Sequence, residues 1–338
     1  MFDFIPTEYF LLAFGLILLI KGGDWFVDAA TGIAKRFKLP ELLIGATVVS
    51  IGTTLPEVMT SAMGAMAGNG AMAYGNAIGS IICNTSLVAA ITIAIKPGKA
   101  DKKSLVFPVC FFFATMIFYA LTAYIGGTFA RWSGIVLLVG FVVYMIINVL
   151  NMKKNPVEES HDELSDPEVA EEGASSVAFV KDIVMLVVSA LVIAVGAYLL
   201  VESATAIAIG LGVPQTVISL TIVALGTSLP ELVTAITALM KGHGALSLGN
   251  IIGANIFNLV LVSGAAIAIN PFDVPSEATF LGMNTSLVFD IPLVFAVMAI
   301  MTVPTMFKGK LQRWQGISLL SLYAAYCVLQ FVLIPMFP

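Results

Sequence analysis

The sequence predicts an all-α integral membrane protein with ten transmembrane helices in two inverted-topology five-helix repeats. Composition is the first reason: 59% of the 338 residues are hydrophobic and only 11% are charged, whereas a soluble domain carries about a quarter charged residues. The second reason is a series of apolar runs of about 20 residues, the length of a membrane-spanning helix. The third reason is an internal duplication. Together these observations exclude a soluble protein.

Breaks between the apolar runs delimit the spans. The chain divides into a first repeat at 1–150, an acidic linker at 151–178 and a second repeat at 179–338. The linker contains Asn-Pro, Asp-Pro and a dense run of acids, so we expect it to be solvated and cytoplasmic. The ten predicted spans are 8–34, 40–66, 71–95, 104–124, 132–150, 179–209, 215–240, 245–269, 284–306 and 314–336.

The duplication relates the two halves in detail. Residues 25–90 align without a gap onto 199–264, and 27 of the 66 aligned residues are identical. After an eight-residue insertion, Arg131-Trp-Ser-Gly-Ile recurs as Arg313-Trp-Gln-Gly-Ile. Each half holds five spans, and because five is odd the second half must enter the membrane from the opposite side. Inverted repeats of this kind are typical of secondary transporters with a midplane substrate site.

Basic residues predict the orientation. When the spans alternate across the membrane, 14 of the 16 basic residues lie on one side, which the positive-inside rule makes cytoplasmic. We therefore expect a protein of the cell membrane with both termini outside the cytoplasm. The N-terminus has no basic region before its first apolar run, so a cleaved signal peptide is not expected. The cytoplasmic set is Lys35, Arg36, Lys38, Lys96, Lys99, Lys102, Lys103, Lys153, Lys154, Lys181, Lys241, Lys308, Lys310 and Arg313.

One six-residue frame occurs in both halves, inside apolar spans. Gly-Thr-Thr-Leu-Pro-Glu ends at Glu57, and Gly-Thr-Ser-Leu-Pro-Glu ends at Glu231. A charge at the centre of a membrane helix costs about 2.5–3.5 kcal/mol. Proline frees the carbonyl four residues earlier, here Gly52 and Gly226. Because both costs recur in one frame, we interpret the two copies as halves of one cation site.

Oxygen-bearing groups surround both glutamates in the sequence. Helical spacing places hydroxyls on the face of each glutamate, and asparagines follow 27 residues later. Calcium takes 6–8 such oxygens. The two histidines lie in predicted loops and the three cysteines show no paired spacing, so we expect neither a zinc or copper site nor disulfides. The candidate ligands are Ser50, Thr53, Thr54, Glu57, Ser80 and Asn84, with Ala224 (backbone carbonyl only), Thr227, Ser228, Glu231 and Asn258.

Other polar residues in the spans have weaker patterns. Lys21, Asp24 and Asp28 have helical spacing and are expected to neutralise each other, although Asp28 aligns with Glu202 and could take part in gating. Asp290 aligns with Pro108 and is expected to be structural. Asn76 and Asn250 are expected mainly to join helices. Glycines 75, 79, 249 and 253 are expected to permit close helix approach.

At these residues the chain resembles the calcium/cation antiporter superfamily, specifically prokaryotic sodium/calcium exchangers. The alpha-repeats, Gly45 to Ala90 and Ser219 to Gly264, carry the resemblance, which covers essentially all ten spans. It implies alternating access, in which the first and sixth spans slide past an eight-helix core. It also implies that Glu57 and Glu231 bind Ca²⁺ with Thr53 and Thr227. Sodium is implied to use the same groups with Asn84, Thr54, Ser228, Ser50 and Ala224.

One departure from the family pattern changes the charge of the site. The sodium exchangers commonly carry an acid at one of the positions held here by Asn84 and Asn258. Two glutamates alone give a charge of −2, which one Ca²⁺, two Na⁺ or two protons neutralise, while three Na⁺ would leave +1 in a low-dielectric site. We therefore hypothesise a lower-charge exchange cycle than in relatives with a third acid.

Three alternatives to Ca²⁺/Na⁺ antiport stay open. A Ca²⁺/H⁺ antiporter could use the same glutamates, since desolvated carboxylates can cycle through protonation. A cation channel is disfavoured because paired buried carboxylates bind strongly. An intramembrane hydrolase would need a nucleophile with a base, and no histidine lies in a span. The expected partners are Ca²⁺, Na⁺ or H⁺ and the lipid bilayer, without a cofactor, nucleic acid or obligate protein partner.

Overall fold

The computed structural model describes residues 5–37, 39–98, 100–154, 176–211, 226, 228–276 and 279–333. Within these ranges the chain forms ten helices, one at each predicted span. They are α1 Ile5–Arg36, α2 Glu41–Met66, α3 Gly70–Ile95, α4 Lys102–Gly126, α5 Arg131–Lys154, α6 Ser176–Gly210, α7 Leu229–Met240, α8 Gly244–Ile269, α9 Ser286–Lys308 and α10 at 313–333.

Eight of the ten described helices, α1 to α6, α8 and α9, are long and apolar enough to cross a membrane; α7 is shorter, and α10 is not one of the eight. The predicted seventh span began at 215, but residues 212–225 lie outside the described part of the chain. The predicted linker falls largely on residues 155–175, which are also outside it. At its edges, α5 continues to Lys154 and α6 begins at Ser176, so these helices extend slightly beyond the predicted spans.

The helices form a buried core with one helix pair beside it. Helices α1 and α6 pack against each other along their length, and they meet at Gly15 and Gly196. A Cβ on either glycine would lie 2.9 Å from the carbonyl oxygen of the other, so the two backbones are in direct contact. Helix α8 is the most buried of the candidate spans and packs on α2 and α7.

Two antiparallel pairs of short strands lie in the loops between the helices. β1 (Thr128–Phe129), between α4 and α5, pairs antiparallel with β2 (Phe272–Asp273), between α8 and α9. β3 (Thr279–Phe280) and β4 (Met283–Asn284) form a hairpin before α9. The first pair ties the two halves together at the end of the bundle that the sequence places outside the cytoplasm.

The opposite end carries an equivalent connection. Next to the β1–β2 pair, Val274 donates its backbone N–H to Gly127 O at 2.9 Å. At the opposite end, Ala100 donates its backbone N–H to Gly309 O at 3.0 Å. The sequence alignment of the halves relates Ala100 to Val274 and Gly127 to Gly309. Both glycines end a helix in the left-handed conformation, with φ of 63° and 67°. The fold therefore obeys the inverted repeat down to single hydrogen bonds.

The repeated arginines follow the same relation. Arg131 donates to Ile269 O at 3.2 Å at the end of α8, and Arg313 donates to Ile95 O at 3.5 Å at the end of α3. Ile95 and Ile269 are aligned residues in the two halves. The last carbonyls of a helix have no partner within that helix, so each arginine caps one long helix of the opposite half.

Five π-helical segments interrupt the described helices. They are Gly45–Val49, Asn84–Ala89, Asn258–Val262, Ser286–Asp290 and Leu329–Leu333. A π segment inserts an extra residue per turn and re-aims the side chains around it, and such segments are frequent at functional sites. The first three of them border the predicted cation ligands.

Candidate cation site

The two glutamates meet in one buried site. Glu57 of α2 and Glu231 of α7 are both 0% exposed. Thr54 lies one helical turn before Glu57, and its hydroxyl donates to Glu231 Oε1 at 3.4 Å. One side chain of the first half therefore reaches the carboxylate of the second half. The structure brings together the two residues that the repeated frame singles out.

Most of the carboxylate oxygens have no protein donor. Within the described part of the chain, Glu57 Oε1, Glu57 Oε2 and Glu231 Oε2 are buried and make no hydrogen bond. A buried carboxylate without a partner is strongly unfavourable. The arrangement therefore suits a cation, or protons, as the group that these oxygens bind.

The two prolines occupy different places in their helices. Pro56 lies inside α2, which continues unbroken to Met66. In α7 the described helix begins at Leu229, with Pro230 in its first turn, where a proline costs no hydrogen bond. The sequence predicted one span from 215 to 240 with Pro230 in its interior; residues 212–225 and 227 of the chain lie outside the described part, and within that part α7 begins at Leu229. Glu231 thereby lies in the first turn, where the helix dipole favours a negative charge.

An asparagine of each half faces the glutamate helix of the other half. Asn84 and Asn258 are both 0% exposed, and each is the first residue of a π segment. The segment from Asn84 packs on α7, while the segment from Asn258 packs on α2. Neither amide makes a hydrogen bond among the described residues. Their oxygens are thus as free to bind a cation as those of the carboxylates.

The hydroxyls of Ser50 and Thr53 are held by Asn250. Asn250 Oδ1 lies 3.3 Å from Ser50 Oγ and 3.3 Å from Thr53 Oγ1, and Ser50 also reaches the Asn250 carbonyl at 3.0 Å. The Asn250 amide donates to Thr234 Oγ1 at 3.0 Å. Asn250 therefore joins helices of both halves, as predicted. In the first half, Asn76 similarly donates to Glu57 O at 3.1 Å.

The remaining candidates are partly placed. Ser228 is the N-cap residue of α7, buried, and its hydroxyl makes no hydrogen bond within the described residues. Ser80 is buried one turn before Asn84. Thr227 and Ala224 lie outside the described residues, so their predicted roles stay predictions.

Two residues near the site were not among the predicted ligands. Cys83 lies beside Ser228 and Tyr323, between the site and α10. Asn255 donates to Thr85 Oγ1 at 2.7 Å, and its own Oδ1 has no partner among the described residues. The sequence offered one signal for Asn255, because the first half has Ile81 at the aligned position.

The acids of α1 have a partner outside that helix. In the described part of the chain, Lys241 at the end of α7 pairs with Asp28 at 2.7 Å and with Asp24 at 3.6 Å. The expectation that Lys21 neutralises these aspartates is therefore wrong. The lysine that does so lies far away in the sequence, which is why helical spacing could not identify it.

The chemistry of the site is that of oxygen ligands. Among the described residues no group of three or more His, Cys, Asp or Glu side chains converges. Two carboxylates must therefore be supplemented by hydroxyl, amide and backbone oxygens. Hard cations prefer this donor set, whereas soft metals need nitrogen or sulfur.

The sequence and the structure both match known exchangers. The profile of the family described as sodium/calcium exchanger protein matches residues 7–150 and 181–332. The chain is 36% identical over 319 residues to an uncharacterized membrane protein of Methanocaldococcus jannaschii, covering 94% of this chain and 96% of the relative. It is 30% identical over 355 residues to sodium/calcium exchanger MaX1 of Methanosarcina acetivorans, covering 97% and 99%.

Among solved structures, the sodium-calcium exchanger NCX_Mj has a similar fold. One structure of it, soaked with 2.5 mM Na⁺ and 0.1 mM Sr²⁺, superposes with a TM-score of 0.79 at 30% sequence identity. The superposition covers 97% of this chain and 99% of that one. Similarity over nearly the full length of both chains includes both halves of the repeat.

Proposed function

Because the chain belongs to the sodium/calcium exchanger protein family, and so is a multi-pass membrane transporter that exchanges cations, we propose that it exchanges Ca²⁺ for Na⁺. The ions bind by turns at a midplane site built on Glu57 and Glu231, which opens alternately to the two sides of the membrane. Thr53, Thr54, Asn84, Ser228 and Asn258 supply further oxygens, as do Ser50, Ser80, Thr227 and the Ala224 carbonyl.

One observation carries this proposal. Most of the buried polar atoms that lack a hydrogen bond among the described residues lie at this site: both oxygens of Glu57, one of Glu231, the Ser228 hydroxyl and the amides of Asn84 and Asn258. Native proteins leave few buried polar atoms unpaired. These eight atoms, three of them carboxylate oxygens, are best explained as belonging to a set of cation ligands.

Transport by reconstituted protein tests the proposal. Uptake of ⁴⁵Ca²⁺ into proteoliposomes is measured under an outward Na⁺ gradient and, separately, under an outward proton gradient. We expect uptake with the Na⁺ gradient and loss of at least 90% of it in Glu57→Gln and in Glu231→Gln, because each variant removes one of only two site charges. Uptake driven by the proton gradient alone would favour a Ca²⁺/H⁺ antiporter with the same two glutamates.

Glu202→Gln is the matched control, since it makes the same substitution on an exposed residue of α6. It should transport like the unmodified protein. Retained uptake in both site variants would reject the site, whereas uptake that needs no opposing gradient would point to a channel.

The two-charge site also supports a proposal about stoichiometry. With asparagine at 84 and 258, the two glutamates can be balanced by one Ca²⁺ or by two Na⁺, and we propose a cycle that moves no net charge. We further propose that the protein lies in the cell membrane with both termini outside the cytoplasm, as its basic residues favour.

A further inference from the structure

A third buried carboxyl lies away from the two glutamates. Asp290 of α9 is 8% exposed, and its Oδ1 accepts hydrogen bonds from Tyr326 Oη and Gln330 Nε2, each at 3.1 Å. The aligned residue in the first half is Pro108, so the repeat does not need an acid at this position. An ionisable side chain inside a membrane helix is expensive and usually functional.

Asp290 and its partner Gln330 lie in π segments, as residues of the proposed cation site do. Of the five described π segments, three border candidate cation ligands. The other two are Ser286–Asp290, which ends at Asp290, and Leu329–Leu333, which contains Gln330. The hydrogen bond between Asp290 and Gln330 therefore joins the two π segments that the cation site does not use.

The groups that face Asp290 suit a proton better than a metal ion. Tyr326 and Gln330 of α10 present donors to it, Tyr74 of α3 lies nearby, and Tyr124 of α4 donates to the Leu287 carbonyl one turn earlier. No cationic side chain of the described residues pairs with it. A metal ion requires several converging oxygens. Because both donors use Oδ1, the Oδ2 atom remains to carry a proton.

A polar stripe on α10 connects this carboxyl with the cation site. Tyr323, Tyr326 and Cys327 share one face of the helix, by their spacing of three and four residues. The Tyr323 hydroxyl lies beside the thiols of Cys83 and Cys327, and Tyr326 lies near Cys327.

Cys83 completes the connection on the side of the ion site. It immediately precedes Asn84 and lies beside Ser228, both candidate cation ligands. The polar groups thus run from the ligands through α10 to Asp290.

We propose that Asp290, with Tyr326 and Gln330, is an intramembrane proton-binding site whose protonation alters cation binding through this stripe. Proton binding at Asp290 stands whether the exchanged ion is Na⁺ or H⁺. The bound proton resides on Oδ2, and deprotonation leaves a carboxylate that the two α10 donors stabilise.

Infrared spectroscopy of the purified full-length protein tests proton binding directly. In the variant Glu57→Gln/Glu231→Gln, the carbonyl band of a protonated carboxyl should titrate with pH, and adding Asp290→Asn should remove that component. Adding Glu202→Gln instead should leave it. Tyr326→Phe removes a donor to the charged carboxylate while keeping the acid, so the band should persist to more alkaline pH. Spectra unchanged by Asp290→Asn would overturn the proposal.

Transport tests the connection to the cation site. In proteoliposomes at equal pH on both sides and a fixed Na⁺ gradient, we expect ⁴⁵Ca²⁺ uptake to vary at least threefold with pH and Asp290→Asn to flatten this profile while retaining uptake. Tyr326→Phe, which keeps the acid, should retain the pH dependence with a displaced midpoint. If Asp290→Asn and Tyr326→Phe both keep the original profile, the connection is wrong, even if the two glutamates are the cation site.

Discussion

The charge of the proposed cation site depends on two amides. Asn84 and Asn258 are isosteric with aspartate, fully buried, and each packs on the glutamate helix of the opposite half. Replacing either amide by a carboxylate would change the site charge from −2 to −3 while changing its shape very little. In the proposed site, the replacement of one amide nitrogen by oxygen at 84 or 258 would therefore change how many cations neutralise it.

Asn258→Asp should therefore make exchange electrogenic. Three Na⁺ would neutralise three carboxylates, whereas one Ca²⁺ would leave a charge of −1, so each cycle would move net charge. The measurement is a voltage-sensitive dye in Na⁺-loaded proteoliposomes after external Ca²⁺ is added. We expect no potential for the unmodified protein and a clear potential for the variant.

Asn69→Asp is the control, because this exposed N-cap residue of α3 gains the same charge outside the site. It should behave like the unmodified protein. A potential generated by the unmodified protein, with a Na⁺ to Ca²⁺ ratio of three, would reject the neutral cycle.

At the level of helices, glycines decide how closely the halves approach. A Cβ on Gly249 would lie 2.1 Å from the Leu42 carbonyl oxygen, and one on Gly253 would lie 2.2 Å from Ser50 Oγ. The expectation of close approach is thus confirmed for both. No atom of the described residues lies within 4 Å of a Cβ added to Gly75 or Gly79. The residue aligned with Leu42 is Thr216, which lies outside the described part of the chain, so close approach at these two glycines stays a prediction.

Gly249→Ala should destabilise the protein. The added methyl group meets backbone, which cannot rotate away, and overpacking of this kind typically costs about 1–3 kcal/mol or more. Thermal unfolding in detergent, followed by loss of the monodisperse peak in size-exclusion chromatography, measures the effect.

Gly140→Ala serves for comparison, since its Cβ would meet only Phe111 Cζ at an ordinary 3.7 Å. It should be neutral or slightly stabilising, because alanine favours the helix over glycine by about 1 kcal/mol. Equal stability of Gly249→Ala and Gly140→Ala would contradict the close contact of α8 with α2.

At the scale of the whole molecule, the two ends of the bundle are built alike. Aligned residues make equivalent hydrogen bonds at opposite ends, from Val274 to Gly127 at one and from Ala100 to Gly309 at the other. The inverted repeat is therefore also a repeat of the loop contacts that tie the halves together.

Aligned loop residues should consequently lie on opposite faces of the membrane. Thr128 and Lys310 are aligned, and both are exposed. In a variant without Cys83, Cys110 and Cys327, a cysteine at 128 should react with a membrane-impermeant maleimide in intact cells. A cysteine at 310 should react only after the cells are opened. The reverse labelling would show that both termini are cytoplasmic, and labelling of both positions in intact cells would contradict the inverted topology.

Much of the architecture could be predicted from local patterns. Helix number and the internal repeat follow from apolar runs and from matching residues such as Pro56 and Pro230, since hydrophobicity and helical spacing are properties of consecutive residues. Pro230 lies in the first turn of the described α7, whereas Pro56 lies inside α2. This difference could not be predicted, because the two Leu-Pro-Glu frames are identical. Nor could the pairing of Asp28 with Lys241, which lie on different helices.

The sequence by itself determined the chemistry: two carboxylates, hydroxyls and amides repeated in two halves of opposite topology. Only the tertiary structure decided which groups meet. It brings Thr54 to Glu231, Asn250 to Ser50 and Thr53, and Asp290 to Tyr326 and Gln330. Residue types and helical periodicity are local properties, but contacts between helices depend on how all of them pack and on where the π segments re-aim their side chains.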